Sequence, residues 1–130
     1  MRYMFLIYSR GDDEPLPADE DMATRLAHRA VMDDARARGI FQGAEPLAPA
    51  ATATTVRHQQ GGVLITDGPF AETKEQLAGY YILECRDLDE ALEWAARIPT
   101  NCRGGAGCIE VRPLPGMQAA AAPINAATSD

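Results

Sequence analysis

The stretch Asp67-Gly68-Pro69-Phe70-Ala71-Glu72-Thr73-Lys74-Glu75 gathers more potential chemistry than any other part of the chain. Asp67, Glu72 and Glu75 are carboxylates, Lys74 is a cation, and Thr73 carries a hydroxyl; Phe70 can anchor such a loop to apolar neighbours. Asp67-Gly68-Pro69 is also a strong turn signal, because Asp bonds the backbone just beyond it, Gly tolerates positive φ and Pro pre-sets its own. Taken singly, each residue therefore reads first as part of a turn. Length tempers that reading. From Asp67 to Ala78 the connection runs about a dozen residues, more than a hairpin needs, and long ordered loops are more often functional. One short helical turn over Thr73–Leu77 is expected inside it.

Other side chains add to the list. His28 shares a helix face with Val31, Met32 and Ala35, and histidine is the side chain best suited to proton transfer near neutral pH. Its plain alternative is a half-buried imidazole with a satisfied hydrogen bond. Arg25 and Arg29 can hold an anion at a cleft edge; as Asp21–Arg25 and Arg29–Asp33 they also read as i, i+4 surface pairs. His58 is expected to be exposed on a hairpin. Cys85, Cys102 and Cys108 are odd in number, which suggests free thiols over a Cys102–Cys108 bridge, and their spacing is not that of a zinc site. Neither a metal nor a cofactor is expected.

These residues must be positioned by a small fold. The chain has 130 residues, 46% of them hydrophobic, which suits one globular domain over residues 1–115 with an Ala-rich, loosely ordered tail over 116–130. The net charge of −7 argues against nucleic acid as a partner, since phosphate binding needs clustered Lys and Arg. No apolar run is long enough to span a bilayer and no signal peptide is evident, so a cytoplasmic protein without membrane attachment is expected.

Hydrophobic periodicity places the elements. "RYMFLIY" is a strand apolar on both faces, and "GYYILEC" repeats that pattern. Between them lie a helix from about Pro17 to Arg38, stopped at Gly39, a short strand in "IFQGAEPLAPA", and a hairpin turning at Gly61-Gly62. Met22, Leu26, Ala27, Ala30 and Val31 give the helix its expected core face. A second helix starts at Asp87, whose capping box is completed by Glu90, and carries the stripe Leu88, Ala91, Leu92, Ala95 up to Pro99; Trp94 belongs to core or interface. "CIEVRPL" is the last strand. The order predicts an α+β, ferredoxin-like antiparallel sheet with two helices on one face and an inserted β-hairpin. The other face is left greasy and uncovered, which marks an association surface; a homodimer closes it.

The wording "DGPFAETKEQLAGYYIL" resembles the DGPF subgroup of the YCII-related family. So do "RYMFLIY", "PAATATTVR" (one Ala longer than that group's pattern) and "DLDEALEWAARIP", in the same order over roughly residues 2 to 114. The resemblance implies a dimeric α/β barrel with a cleft between the sheet and helix 1, and a His and an Asp acting together there. His28 stands eleven residues before Gly39, where the family's His lies. The family's Asp-Pro after the second helix is replaced by Ile98-Pro99, which removes one acidic candidate; Asp67, the carboxylate that opens the DGPF loop, is taken in its place. The expected reading is a small-molecule enzyme with His28 and Asp67 catalytic, and Gly68, Pro69, Phe70, Glu72, Lys74 and Arg25 binding an unknown ligand. The alternative is a non-catalytic binding or regulatory module, because DGPF members are often encoded near extracytoplasmic-function sigma factors.

Overall fold

A computed structural model describes residues 1–10, 16–100 and 106–116. The element order is β1 (Arg2–Arg10), α1 (Ala18–Ala37), β2 (Phe41–Pro46), a 3₁₀ turn (Ala50–Thr52), β3 (Thr54–Gln59), β4 (Gly62–Asp67), β5 (Glu75–Glu84), α2 (Leu88–Ala95) and β6 (Ala106–Leu114). Apart from Gly116, the expected tail lies outside the described residues, and so does Cys102.

Four strands form one antiparallel sheet in the order β2-β5-β1-β6, while β3 and β4 pair only with each other. β1 and β5 occupy the centre, and they carry the two runs apolar on both faces, Tyr3 to Tyr8 and Tyr80 to Leu83. Pairing fixes the faces. Phe5 stands opposite Tyr81 on one side and Val111 on the other, and Tyr3 opposite Leu83. Tyr3, Phe5, Ile7, Tyr81 and Leu83 are buried together with Val31 and Ala35 of α1 and Ala91 and Trp94 of α2, so both helices share one core with this face. Met4, Leu6, Tyr8, Tyr80 and Ile82 alternate with them on the far face and are only half-buried.

α1 carries Asp19, Glu20 and Asp21 in its first turn and Arg36 in its last, charges that suit the helix dipole. Gly39 ends it at φ +74°, its N–H donating to the Arg36 carbonyl while Ile40 donates to that of Ala35. The core face of α1 is shorter than the periodicity predicts. Met22 and Leu26 are 55% and 56% exposed, and the buried positions of the helix are Val31 and Ala35 in its C-terminal half. Asp33 takes Arg36 (3.2 Å) as its partner where Arg29 was expected, whereas Asp21–Arg25 forms as predicted at 2.8 Å.

Asp87 caps α2 by accepting the Glu90 N–H at 2.9 Å, as its position requires. Glu90 reaches back to the N–H of Arg86 at 2.6 Å, one residue earlier than a capping box prescribes. The helix turns Ala91 and Trp94 inward, with Ile98 buried just beyond it, and leaves Leu88 and Leu92 about half exposed, so the buried face is rotated from the expected stripe toward Trp94. Arg97 stacks on that ring at 4.5 Å from its centroid, and Asp34 of α1 holds both Arg97 (2.7 Å) and Arg38 (2.9 Å).

The connection between β4 and β5 is shorter than expected. β5 begins at Glu75, so seven residues, Gly68 to Lys74, join the strands, and no helical turn forms. The Thr73 hydroxyl donates to the Glu75 carbonyl, and the Gln76 side chain donates to the Thr73 carbonyl, which ties the chain into the start of β5.

Candidate functional site

Register brings together, on the far face of the sheet, residues from both ends of the sequence. Tyr8 of β1 lies between Leu77 of β5 and Cys108 of β6, and Leu6 stands opposite Glu110. The ladder between β1 and β5 slips at Ile7/Tyr8, which leaves Ala78 unpaired with β1. Its carbonyl accepts the N–H of Leu47, so the chain leaving β2 is pinned over this end of the sheet. The 3₁₀ turn and the loop after β4 then stand as walls above the strands. They enclose a cleft of about 930 Å³, floored by Tyr8, Leu77 and Cys108 and walled by Leu47, Pro49, Thr52, Pro69, Phe70 and Thr73.

The loop wall is built by turn chemistry. Gly68 adopts φ +97°, its N–H donates to the Ala53 carbonyl, and its own carbonyl accepts the Thr55 hydroxyl at 2.8 Å. Arg57 of β3 donates to the Phe70 carbonyl at 2.7 Å. The Asp-Gly-Pro turn thus redirects the chain so that Phe70, 74% exposed, projects its ring at the cleft mouth.

Two hydrogen bonds organise the polar end. The Tyr8 hydroxyl donates to Glu110 Oε1 at 3.3 Å, and the Cys108 thiol donates to Glu75 Oε1 at 3.4 Å. Arg112 approaches Glu110 Oε2 at 3.3 Å. Burial and then the Glu110 charge raise the Tyr8 pKa; burial and then the bond to Glu75 raise that of Cys108. Both groups are therefore held protonated near neutral pH. They are hydrogen-bond donors backed by carboxylates rather than nucleophiles.

Of the residues expected to form the site, Pro69 and Phe70 line this cleft. Glu72 and Lys74 are exposed in the same loop, and Gly68 holds the turn. Asp67 ends β4, paired with Thr54. His28 and Arg25 lie elsewhere, on α1. Arg25 is exposed and bound to Asp21. His28 Nδ1 lies 2.7 Å from the Tyr81 hydroxyl on the helix-covered face of the sheet, and burial lowers its pKa. Tyr81, only 3% exposed, has its pKa pushed up to about 12 by burial. No hydrogen bond joins His28 to Asp67 among the described residues. Sequence reasoning missed Tyr8, Glu110 and Cys108 as a group, because β1 and β6 meet only through sheet pairing. The one signal was that Tyr8 and Glu110 fall on the outward positions of their strands.

A family model described as the YCII-related domain matches residues 1–117 of the 130. The chain belongs to the YCII-related family. An uncharacterised protein of Rhizobium meliloti (strain 1021) is 50% identical to this YCII-related protein over 68 residues, a stretch that covers 52% of this chain and 54% of that one. The chain thus spans about half the length of the curated relative it matches. Among the described residues no group of three or more His, Cys, Asp or Glu is arranged to hold a metal, and no helix is long and apolar enough to cross a membrane.

Proposed function

We propose that this YCII-related protein, of the DGPF kind, binds a small organic molecule in the cleft beneath the loop that follows β4. The single observation behind this reading is the cleft itself. Its volume is that of a small-molecule site, its walls are mostly apolar, and a few polar groups converge at one end. The strand order β2-β5-β1-β6, with a helix in each crossover, supports a ferredoxin-like arrangement. The half-exposed apolar far face supports a homodimer in which two such sheets stack as a dimeric α/β barrel. In that assembly the cleft lies on the face turned toward the partner.

A titration of ¹⁵N-labelled protein with a panel of small aromatic and aliphatic compounds tests this. The expected perturbations cluster at Tyr8, Phe70, Thr73, Leu77 and Cys108, and Phe70→Ala weakens them. Perturbations confined to other regions, or none at all, overturn the reading.

A second reading keeps catalysis on α1. His28, neutral near pH 7 and 2.7 Å from Tyr81, has the protonation state of a general base. Asp67 orients a substrate in that reading, and a sigma-factor partner belongs to the regulatory alternative. Turnover that survives both His28→Gln and Asp67→Asn would remove the enzymatic version. Failure to recover a sigma factor in a pull-down from the native host would remove the regulatory one.

A further inference from the structure

We infer that Tyr81 is a positioning residue for His28: its hydroxyl donates to Nδ1 and fixes the neutral imidazole with its proton on Nε2. At that atom the ring then offers an N–H donor and not a lone pair. The inference deepens the second reading of the function and is independent of the cleft. Nδ1 and the Tyr81 oxygen lie 2.7 Å apart, with one proton between them. Burial pushes the Tyr81 pKa up to about 12, so the hydroxyl keeps its hydrogen, and lowers that of His28, so the ring is neutral near pH 7. One ring nitrogen is therefore bare.

Two arrangements compete for that proton. If Nδ1 carried it and donated to Tyr81, the hydroxyl would have to turn its own hydrogen elsewhere in a residue only 3% exposed. The acceptor within reach among the described residues is the His28 carbonyl, 3.4 Å away. That is beyond the usual O–H···O range of roughly 2.5–3.0 Å, and this carbonyl, inside α1, already serves the helical ladder. If the hydroxyl donates to Nδ1, the 2.7 Å separation suits an O–H donor and the buried hydrogen is satisfied. Distance decides for the second arrangement. The donor is also a fixed point, because Tyr81 is paired in the sheet with Phe5 of β1 and Ala44 of β2. The bond made by one ring nitrogen sets the state of the other. Whatever approaches Nε2 must therefore accept a hydrogen bond, as a carbonyl or carboxylate oxygen does. A proton can be taken up at Nε2 only if the tautomer changes and the bond to Tyr81 is lost. His28 is thus suited to steady an oxygen of a ligand and not to act as its base.

The chain has two histidines, so the ring signals are few. The full chain, labelled with ¹⁵N-histidine, is observed by long-range ¹H–¹⁵N correlation at about pH 8, above the ordinary histidine range. His58, exposed on β3, is the reference ring, and His58→Gln assigns the pair. His28 is expected to show a proton-bearing Nε2 and a bare Nδ1, and Tyr81→Phe to shift it toward the averaged pattern of His58. A bare Nε2 with a protonated Nδ1 in the native chain overturns the inference and leaves the base of the second reading in place. An averaged His28 overturns it as well, since Tyr81 then fixes nothing. An unchanged His28 in folded Tyr81→Phe removes the role of Tyr81. The native spectrum decides the tautomer even where that variant does not fold.

Discussion

A hydroxyl that is 3% exposed needs a partner, and His28 is what Tyr81 has. Removing the imidazole leaves that group only its long 3.4 Å bond to the His28 carbonyl, at a cost of up to about 1–3 kcal/mol. His28→Ala is therefore expected to lower stability in urea unfolding, and a smaller penalty is expected when Tyr81→Phe is already present, because the phenyl ring asks for no partner. Linkage gives the sign of the pH effect. The folded pKa of His28 lies below its unfolded value of about 6.5, so the unfolded chain binds more protons in between. Its contribution is fully present above the unfolded pKa and falls as the pH drops from there toward the folded one; His28→Ala should flatten that slope. A stability profile with the same slope in both proteins would refute the assignment. The thiols differ in a testable way as well. Cys85 is buried, with its pKa pushed up to about 11, and should resist alkylation until the chain unfolds. Cys108 is exposed and bonded to Glu75, so Glu75→Gln should speed its alkylation, read by mass-spectrometric peptide mapping.

Elements were legible where one physical rule decided them. Gly39 and Asp87 punctuate the helices as expected, and the doubly apolar runs became the central strands. What periodicity left undetermined was how much of each apolar stripe the chain itself covers. Leu26 and Leu92 fit a helical repeat yet stay about half exposed, because a stripe states which residues face alike and not what lies opposite. The cleft was only partly legible for a related reason: Pro69 and Phe70 stand out in the sequence, whereas Tyr8 and Glu110 are 102 residues apart and meet through the register of β1 with β6. The pairing of β5 with the edge strand β2 depends on a close approach of backbone. A Cβ on Gly79 would lie 2.8 Å from the Glu45 carbonyl oxygen of β2, so Gly79→Ala must push the edge strand aside. A loss of about 1–3 kcal/mol is expected from thermal or urea unfolding. An unchanged midpoint would mean that β2 moves freely.

At the scale of the whole molecule, the far face of the sheet decides what the protein is in solution. Met4, Leu6, Tyr80 and Ile82 lie half-buried on two central strands, and a second copy of the same surface is the simplest cover. Sedimentation of the native chain at micromolar concentration should give a dimer, and Leu6→Asp should shift it to monomer while circular dichroism shows the fold retained. A native chain that sediments as a monomer would remove the barrel. The β3–β4 hairpin adds a mechanical consequence. Its pairing is internal, with Val56 and Ile65 largely exposed, yet Arg57 grips the backbone at Phe70 and Thr55 grips it at Gly68. The arm is therefore moored to the cleft wall at two backbone carbonyls, so the hairpin and the Phe70 loop are held together as one hydrogen-bonded unit beside the chamber.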